Sequence, residues 1–146
     1  MTASERNKQL RIVAEILTLH LPSLLDDQEL TRDLLAVVGV SLRAAWEDVQ
    51  KSADAWDRKH YHVKADQLRD EWIWSLAAAN TAEGLAYRDA PVTPENVERL
   101  RLLIKAPLDV VQRRVVKDPQ AFRGAARANQ ARERREGSRT PKRSLI

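Results

Sequence analysis

The chain has 146 residues, 32% of them charged and 43% hydrophobic, with a net charge of +4 at pH 7. That is the size and composition of one folded domain with a real core, not of a disordered chain. The absence of cysteine excludes disulfides, thiolate catalysis and cysteine-ligated zinc together. No window approaches the roughly 18 to 20 apolar residues that span a bilayer, and MTASERNKQL lacks a basic segment followed by an apolar run. Membrane insertion and secretion are therefore not expected, and the expected compartment is the cytoplasm.

In chain order, Ser4 is a candidate cap for a first helix whose apolar residues Ile12, Val13, Ile16, Leu17 and Leu19 keep helical spacing until Pro22 stops it. A second helix starts near Asp26 or Asp27 and runs through Leu30, Leu34, Val37, Val38, Leu42, Ala45 and Val49. Gly39 inside that run costs about 1 kcal/mol relative to alanine, which points to close packing of a neighbouring helix. A third helix is expected from Trp56 to Tyr87, with Ala65, Leu68, Trp72, Leu76, Ala79 and Leu85 as its buried stripe and Gly84 weakening its end.

Thr93 as cap and Pro94 at the first helical position mark the next start, and Leu100, Leu103 and Ile104 form that helix's apolar face. Pro107 breaks it, and Leu108, Val111 and Val115 continue as a shorter helix. Asp118 and Pro119 repeat the cap-and-proline signal, opening a last helix through Phe122 to Gly137. No window alternates as a strand would, and no fixed repeat is present. The expected fold is all-α: a single-domain bundle of five to six helices over residues 1–137, with a basic, flexible tail over 138–146.

Charge is spread unevenly. Residues 117–146 carry nine Lys/Arg against three Asp/Glu, a net of +6, whereas residues 1–116 carry sixteen against eighteen, a net of −2. A cationic end on a nearly neutral body suggests an anionic partner, with nucleic acid the commonest intracellular choice. In the last helix Arg123, Arg127 and Arg134 share a face with Gln130, and Arg132 and Arg135 add to it. Arginine's planar fork suits phosphate, although a solubilising terminal helix explains the same residues.

The catalytic signatures are missing. There is no GxGxxG, GxxxxGK[ST], GxSxG or HExxH, and only four glycines in all, so no enzyme is expected, nor any cofactor. His60 and His62 form an HxH pair, but on a helix two residues apart they point to different faces, so no metal site is expected. Asp66, Asp70 and Glu71 read as a solvated face, since nothing apolar near them would raise a carboxyl pKa.

The segment that stands out is Trp56-Asp57-Arg58-Lys59-His60-Tyr61-His62-Val63-Lys64, followed by Asp66, Arg69, Glu71, Trp72 and Trp74. It mixes cations with rings, the combination that binds phosphates while stacking on exposed bases. Arg58, Lys59, Lys64 and Arg69 supply charge, His60 and His62 flank them, and Tyr61 is the candidate stacking ring. Trp56, Trp72 and Trp74 are expected in the core or at a subunit interface. Together with Arg123, Arg127, Arg134 and Arg135, these cations, histidines and Tyr61 make up the candidate nucleic-acid-binding set.

A short all-helical chain with a basic face, no catalytic motif and the run Arg58-Lys59-His60-Tyr61-His62-Val63-Lys64-Ala65-Asp66 leading to Glu71-Trp72 resembles the small subunit of class 1 CRISPR effector complexes. The resemblance covers residues 5 to 136 and is one of overall character, so no site residue is carried over from it. It implies a helical bundle present in several copies, stacked along a guide RNA and its target strand beside other protein subunits, with no nuclease centre. The long Arg-rich end lies outside what that group requires. Two further readings stay open: a stand-alone helical DNA- or RNA-binding regulator, although no helix-turn-helix spacing is visible, and a helical scaffold or adaptor without nucleic acid.

Overall fold

The first helical stretch runs through Pro22 instead of ending before it. Helix α1 (Ala3–Glu15) passes into a π-helical turn at Ile16–His20, which leads directly into the short α2 (Leu21–Leu24). A π turn widens the coil and shifts the hydrogen-bond register, with the Leu21 N–H donating to the Ile16 carbonyl. Pro22 then sits in the first turn of α2, where a missing N–H costs nothing. The computed structural model describes residues 3–106, 108 and 115–139, with side chains between residues 5 and 136 of that set.

Asp27 caps α3 (Gln28–Arg58) by accepting from the Leu30 N–H at 3.0 Å. This helix continues nine residues past Val49, the last apolar position of the expected stripe. It therefore absorbs Trp56 and Arg58, and α4 spans only His62–Tyr87. The reversal between them is a tight turn at residues 59–61. There the Tyr61 N–H donates to the Trp56 carbonyl at 2.8 Å and the His60 N–H to Asp57 at 2.9 Å. That bond pair defines a Schellman closure, with His60 in the left-handed position at φ 68° that glycine ordinarily takes. Histidine accepts that conformation at a cost of roughly 1 kcal/mol.

Helices α3 and α4 pack along most of their lengths as a hairpin, and their residue sizes explain how. The buried face of α4 is small: Ala65, Ser75, Ala78, Ala79, Ala82 and Ala86, with Leu85. Against it α3 presents Leu34, Leu35, Val38 and Leu42. At Gly39 the neighbouring helix packs so closely that an added Cβ would lie 2.7 Å from the Glu83 side-chain Cγ and 3.5 Å from the Ala79 carbonyl oxygen, which is the close packing the sequence predicts. Val13, Ile16, Leu17 and Leu21 cover one side of this layer, and Val92, Val97, Leu100 and Ile104 close the base. Helix α5 (Pro94–Leu103) starts at the expected place, with a capping box between Thr93 and Asn96.

The shorter helix expected after Pro107 falls largely outside the described residues. The chain resumes at Val115 and Val116, whose N–H groups donate to the buried carboxylate of Glu15 at 3.0 and 2.8 Å, while His20 Nε2 meets the Val116 carbonyl at 3.1 Å. The last helix differs from expectation in its start. Asp118 caps a single 3-10 turn at Pro119–Phe122, Gly124 breaks the chain direction at φ 91°, and α6 (Ala125–Arg139) begins only after it. Asp33 of α3, buried at 4% exposure, accepts from the Gly124 and Ala126 N–H groups at 2.9 and 3.1 Å. This carboxylate caps α6 from another helix. Ser138 and Arg139 belong to α6, and the rest of the expected tail, 140–146, lies outside the described residues. The fold is an all-helical bundle, and among the described residues no helix is long and apolar enough to cross a membrane.

Candidate nucleic-acid interface

The large core lies at the base of the hairpin, among residues 30–42 of α3 and 78–86 of α4. Farther out, Ala45, Val49, Ala53 and Ala65 are buried outside that main cluster. The N-terminal part of α1 reaches the hairpin at Asp48, where Arg6 donates at 2.9 Å to a carboxylate only 2% exposed and also lies 5.3 Å from the Trp72 ring centre. Beyond that contact α3 extends about another 15 Å, taking the ten residues to Arg58 at about 1.5 Å each. Its tip is the turn at residues 59–61.

Six of the seven residues singled out in this stretch stand exposed there: Arg58, Lys59, His60, Tyr61, His62 and Lys64. Tyr61 is 54% exposed, with the Lys64 ammonium 5.7 Å from its ring centre in a cation–π contact. Arg58, Lys59 and Lys64 have no ion pair among the described residues. Tyr61 precedes α4 without giving it a side-chain cap, so the first-turn N–H groups of a 26-residue helix add positive potential at the same place.

The seventh residue, Arg69, does different work. It is bound to Asp54 at 2.9 Å, Asp57 at 2.7 Å and Asp66 at 3.2 Å, and its Nε donates to Gln50 at 3.2 Å. One guanidinium thus ties α3 to α4 and absorbs three carboxylates just below the tip. Its hydrogen bond, with help from His62, holds the Asp57 carboxyl below the ordinary carboxylate range. His62 Nδ1 sits 2.8 Å from Asp57 Oδ1. The two histidines are not both on a helix, since His60 occupies the turn, and their rings meet edge to face at 6.0 Å. Among the described residues no group of three or more His, Asp or Glu converges as a metal site would need.

The arginines of the C-terminal segment do not form the continuous stripe that their spacing suggests. Arg123 lies ahead of the Gly124 break, off the helix, and pairs with Asp27, which lowers the Asp27 carboxyl pKa. Arg132 reaches Glu136 at 4.0 Å. Arg127 and Arg134 do share a face with Gln130, and both are exposed, as is Arg135. The opposite face packs on α3 and α4 around Glu133, whose carboxyl pKa is raised by burial and by the nearby Glu83.

The four tryptophans are all half-buried, not deep in the core. Trp74 packs against the core, and Trp72 stacks on it at 5.5 Å. A further basic feature escaped the sequence reading. Arg32 and Arg88 are 56 positions apart, with no motif linking them, yet they line one groove with Arg127. No protein-family model, no curated protein and no solved structure matches this chain.

Proposed function

We propose that the chain is a non-catalytic nucleic-acid-binding subunit that holds the phosphates of a single strand, RNA or single-stranded DNA, with the tip of its α3–α4 hairpin. The observation that supports it is the sorting of charge at that tip. Arg58, Lys59 and Lys64 stand exposed around Tyr61 with no carboxylate paired to them among the described residues, while Asp54, Asp57 and Asp66 are drawn onto Arg69. Cations on a closed turn beside an exposed ring suit phosphate contacts with base stacking and little sequence readout.

Three tip cations offer few phosphate contacts, so tight binding needs several tips along one strand, where linkage raises effective concentration without new contacts. The small subunit of a class 1 CRISPR effector, arrayed with copies of itself and other subunits on guide RNA and target, is the assembly this reading favours. It is supported by the helical body and the basic tip. The half-buried Trp72 and the neighbouring Ile73, 51% exposed, favour a protein partner on the adjoining face of α4.

The test is fluorescence anisotropy of a mixed-sequence single strand against the full chain across a salt series. With three contacts at about 0.7 each, affinity should fall with a log–log slope of about −2, or roughly 15- to 20-fold between 50 and 200 mM salt. Absence of binding, or an affinity indifferent to salt, would overturn the reading.

A further inference from the structure

At the end of the hairpin opposite the tip, α3, α4 and α6 enclose a groove of about 570 Å³. Its basic lining is Arg32 from the start of α3, Arg88 just after α4 and Arg127 from the first turns of α6. Arg32 and Arg58 are 26 residues apart on one helix, so this groove lies about 40 Å from the tip. Among the described residues none of the three arginines forms an ion pair. Arg32 donates to the Ala90 carbonyl at 2.9 Å and Arg88 to the Gly84 carbonyl at 3.1 Å, and the Arg32 Nε is buried with no acceptor.

Three carboxylates, Glu29, Asp33 and Asp89, line the same groove and balance its formal charge, but none of them forms an ion pair with Arg32, Arg88 or Arg127 among the described residues. Both oxygens of Asp33 accept N–H groups at the start of α6, and Asp89 is exposed beyond the end of α4. Gln130 and the half-buried Tyr87 ring complete the wall, one a neutral hydrogen-bonding group and the other an apolar surface. The three guanidiniums line one concave surface without a direct ion-pair partner among the described residues, the buried Arg32 Nε has no acceptor, and planar forks match phosphate oxygens.

We infer that this groove is a second, separate phosphate site, taking a phosphate ester between Arg32, Arg88 and Arg127. The phosphate comes either from a small phosphorylated molecule or from the end of a nucleic-acid strand. The volume suits one nucleotide-sized ligand, within the roughly 300 to 1,000 Å³ range of small-molecule sites. The site does not depend on the role given to the hairpin tip.

Calorimetric titration of the full chain with pyrophosphate at low salt tests it. Saturable binding is expected, weakened about tenfold or more in Arg88→Ala and in Arg127→Ala, since each loses a charge-assisted hydrogen-bonding group. Arg127→Lys should recover part of the loss. Both altered side chains are exposed, so circular dichroism should match the parent. Arg58→Ala/Lys59→Ala/Lys64→Ala should bind pyrophosphate as the parent does, which separates failure here from failure at the tip. No saturable binding, or parental affinity in both single variants, would overturn the site. A second arm competes pyrophosphate with a short oligonucleotide carrying or lacking a 5′-phosphate. Displacement only by the phosphorylated strand supports the site with a strand end as its ligand, and displacement by neither supports it with a small phosphorylated molecule.

Discussion

Replacing Asp33 by alanine should release α6 from the bundle while leaving the hairpin folded. Asp33 is 4% exposed and supplies both acceptors for the start of that helix, the Gly124 and Ala126 N–H groups at 2.9 and 3.1 Å. Loss of a helix cap costs about 0.5 to 2 kcal/mol, and each hydrogen bond to a charged group about 1.5 to 3 kcal/mol. A net loss of about 2 kcal/mol is therefore a conservative expectation, equal to about a 30-fold rise in the open population. The effect should stay local, because the main core is built from α1, the base of α3 and α4, and α5, with Ala125 and Ala126 only partly buried against it. Native-state hydrogen exchange resolves this. Amides of 126–136 should lose about 30-fold protection, while those of 34–42 and 78–86 keep theirs. Unchanged protection in α6, or an equal loss in all three segments, would refute the idea that a single buried carboxylate docks this helix.

Protonation of Glu133 should tune the same docking. Burial raises its pKa, so the folded state holds the proton more tightly than the unfolded chain does, and the stability of α6 should fall as pH rises through that raised value. Glu133→Gln should flatten the pH dependence of α6 exchange. Asp57 behaves oppositely: its lowered pKa means that the tip keeps its stabilisation above the ordinary carboxylate range and loses it as pH falls through the depressed value. The Asp57 carboxyl shift followed by NMR should move back toward its ordinary titration in Arg69→Ala. That variant should also weaken strand binding, because Asp54, Asp57 and Asp66 would lie unneutralised beside Arg58 and Lys64. Gly39→Val should destabilise the hairpin by about 1 to 3 kcal/mol in urea unfolding, since its side chain would displace Glu83 and disturb the Arg43–Glu83 pair.

The fold was readable where local chemistry and tertiary packing agree. Thr93-Pro94 gave the start of α5 correctly, and Gly39 marked the close approach of α4. The hairpin turn was misplaced because its signal is unusual. A Schellman closure is ordinarily announced by glycine, and here His60 fills the left-handed position. Helix α4 also buries alanines, whose small size gives a weak apolar contrast, so the stripe drawn through Leu68, Trp72 and Leu76 ran along half-buried positions. Pro22 misled because the π turn before it is a tertiary accommodation invisible to spacing rules. At the candidate interface, composition picks out Arg58 to Lys64, but cannot tell Arg69, consumed by three aspartates, from Arg58, Lys59 and Lys64, which have no ion pair among the described residues. Pairing across a hairpin depends on register, which composition does not carry.

The most direct test of the account is the salt dependence of single-strand binding in Arg58→Ala/Lys59→Ala/Lys64→Ala, set against Arg127→Ala/Arg135→Ala. All of these side chains are exposed, so each change should move stability by less than about 0.5 kcal/mol. The tip variant should bind more weakly and lose about two units of log–log salt slope, about 0.7 for each of three phosphate contacts, while the α6 variant keeps most of the parental slope. An unchanged slope in the tip variant, with binding lost in the α6 variant, would contradict the assignment of the hairpin tip.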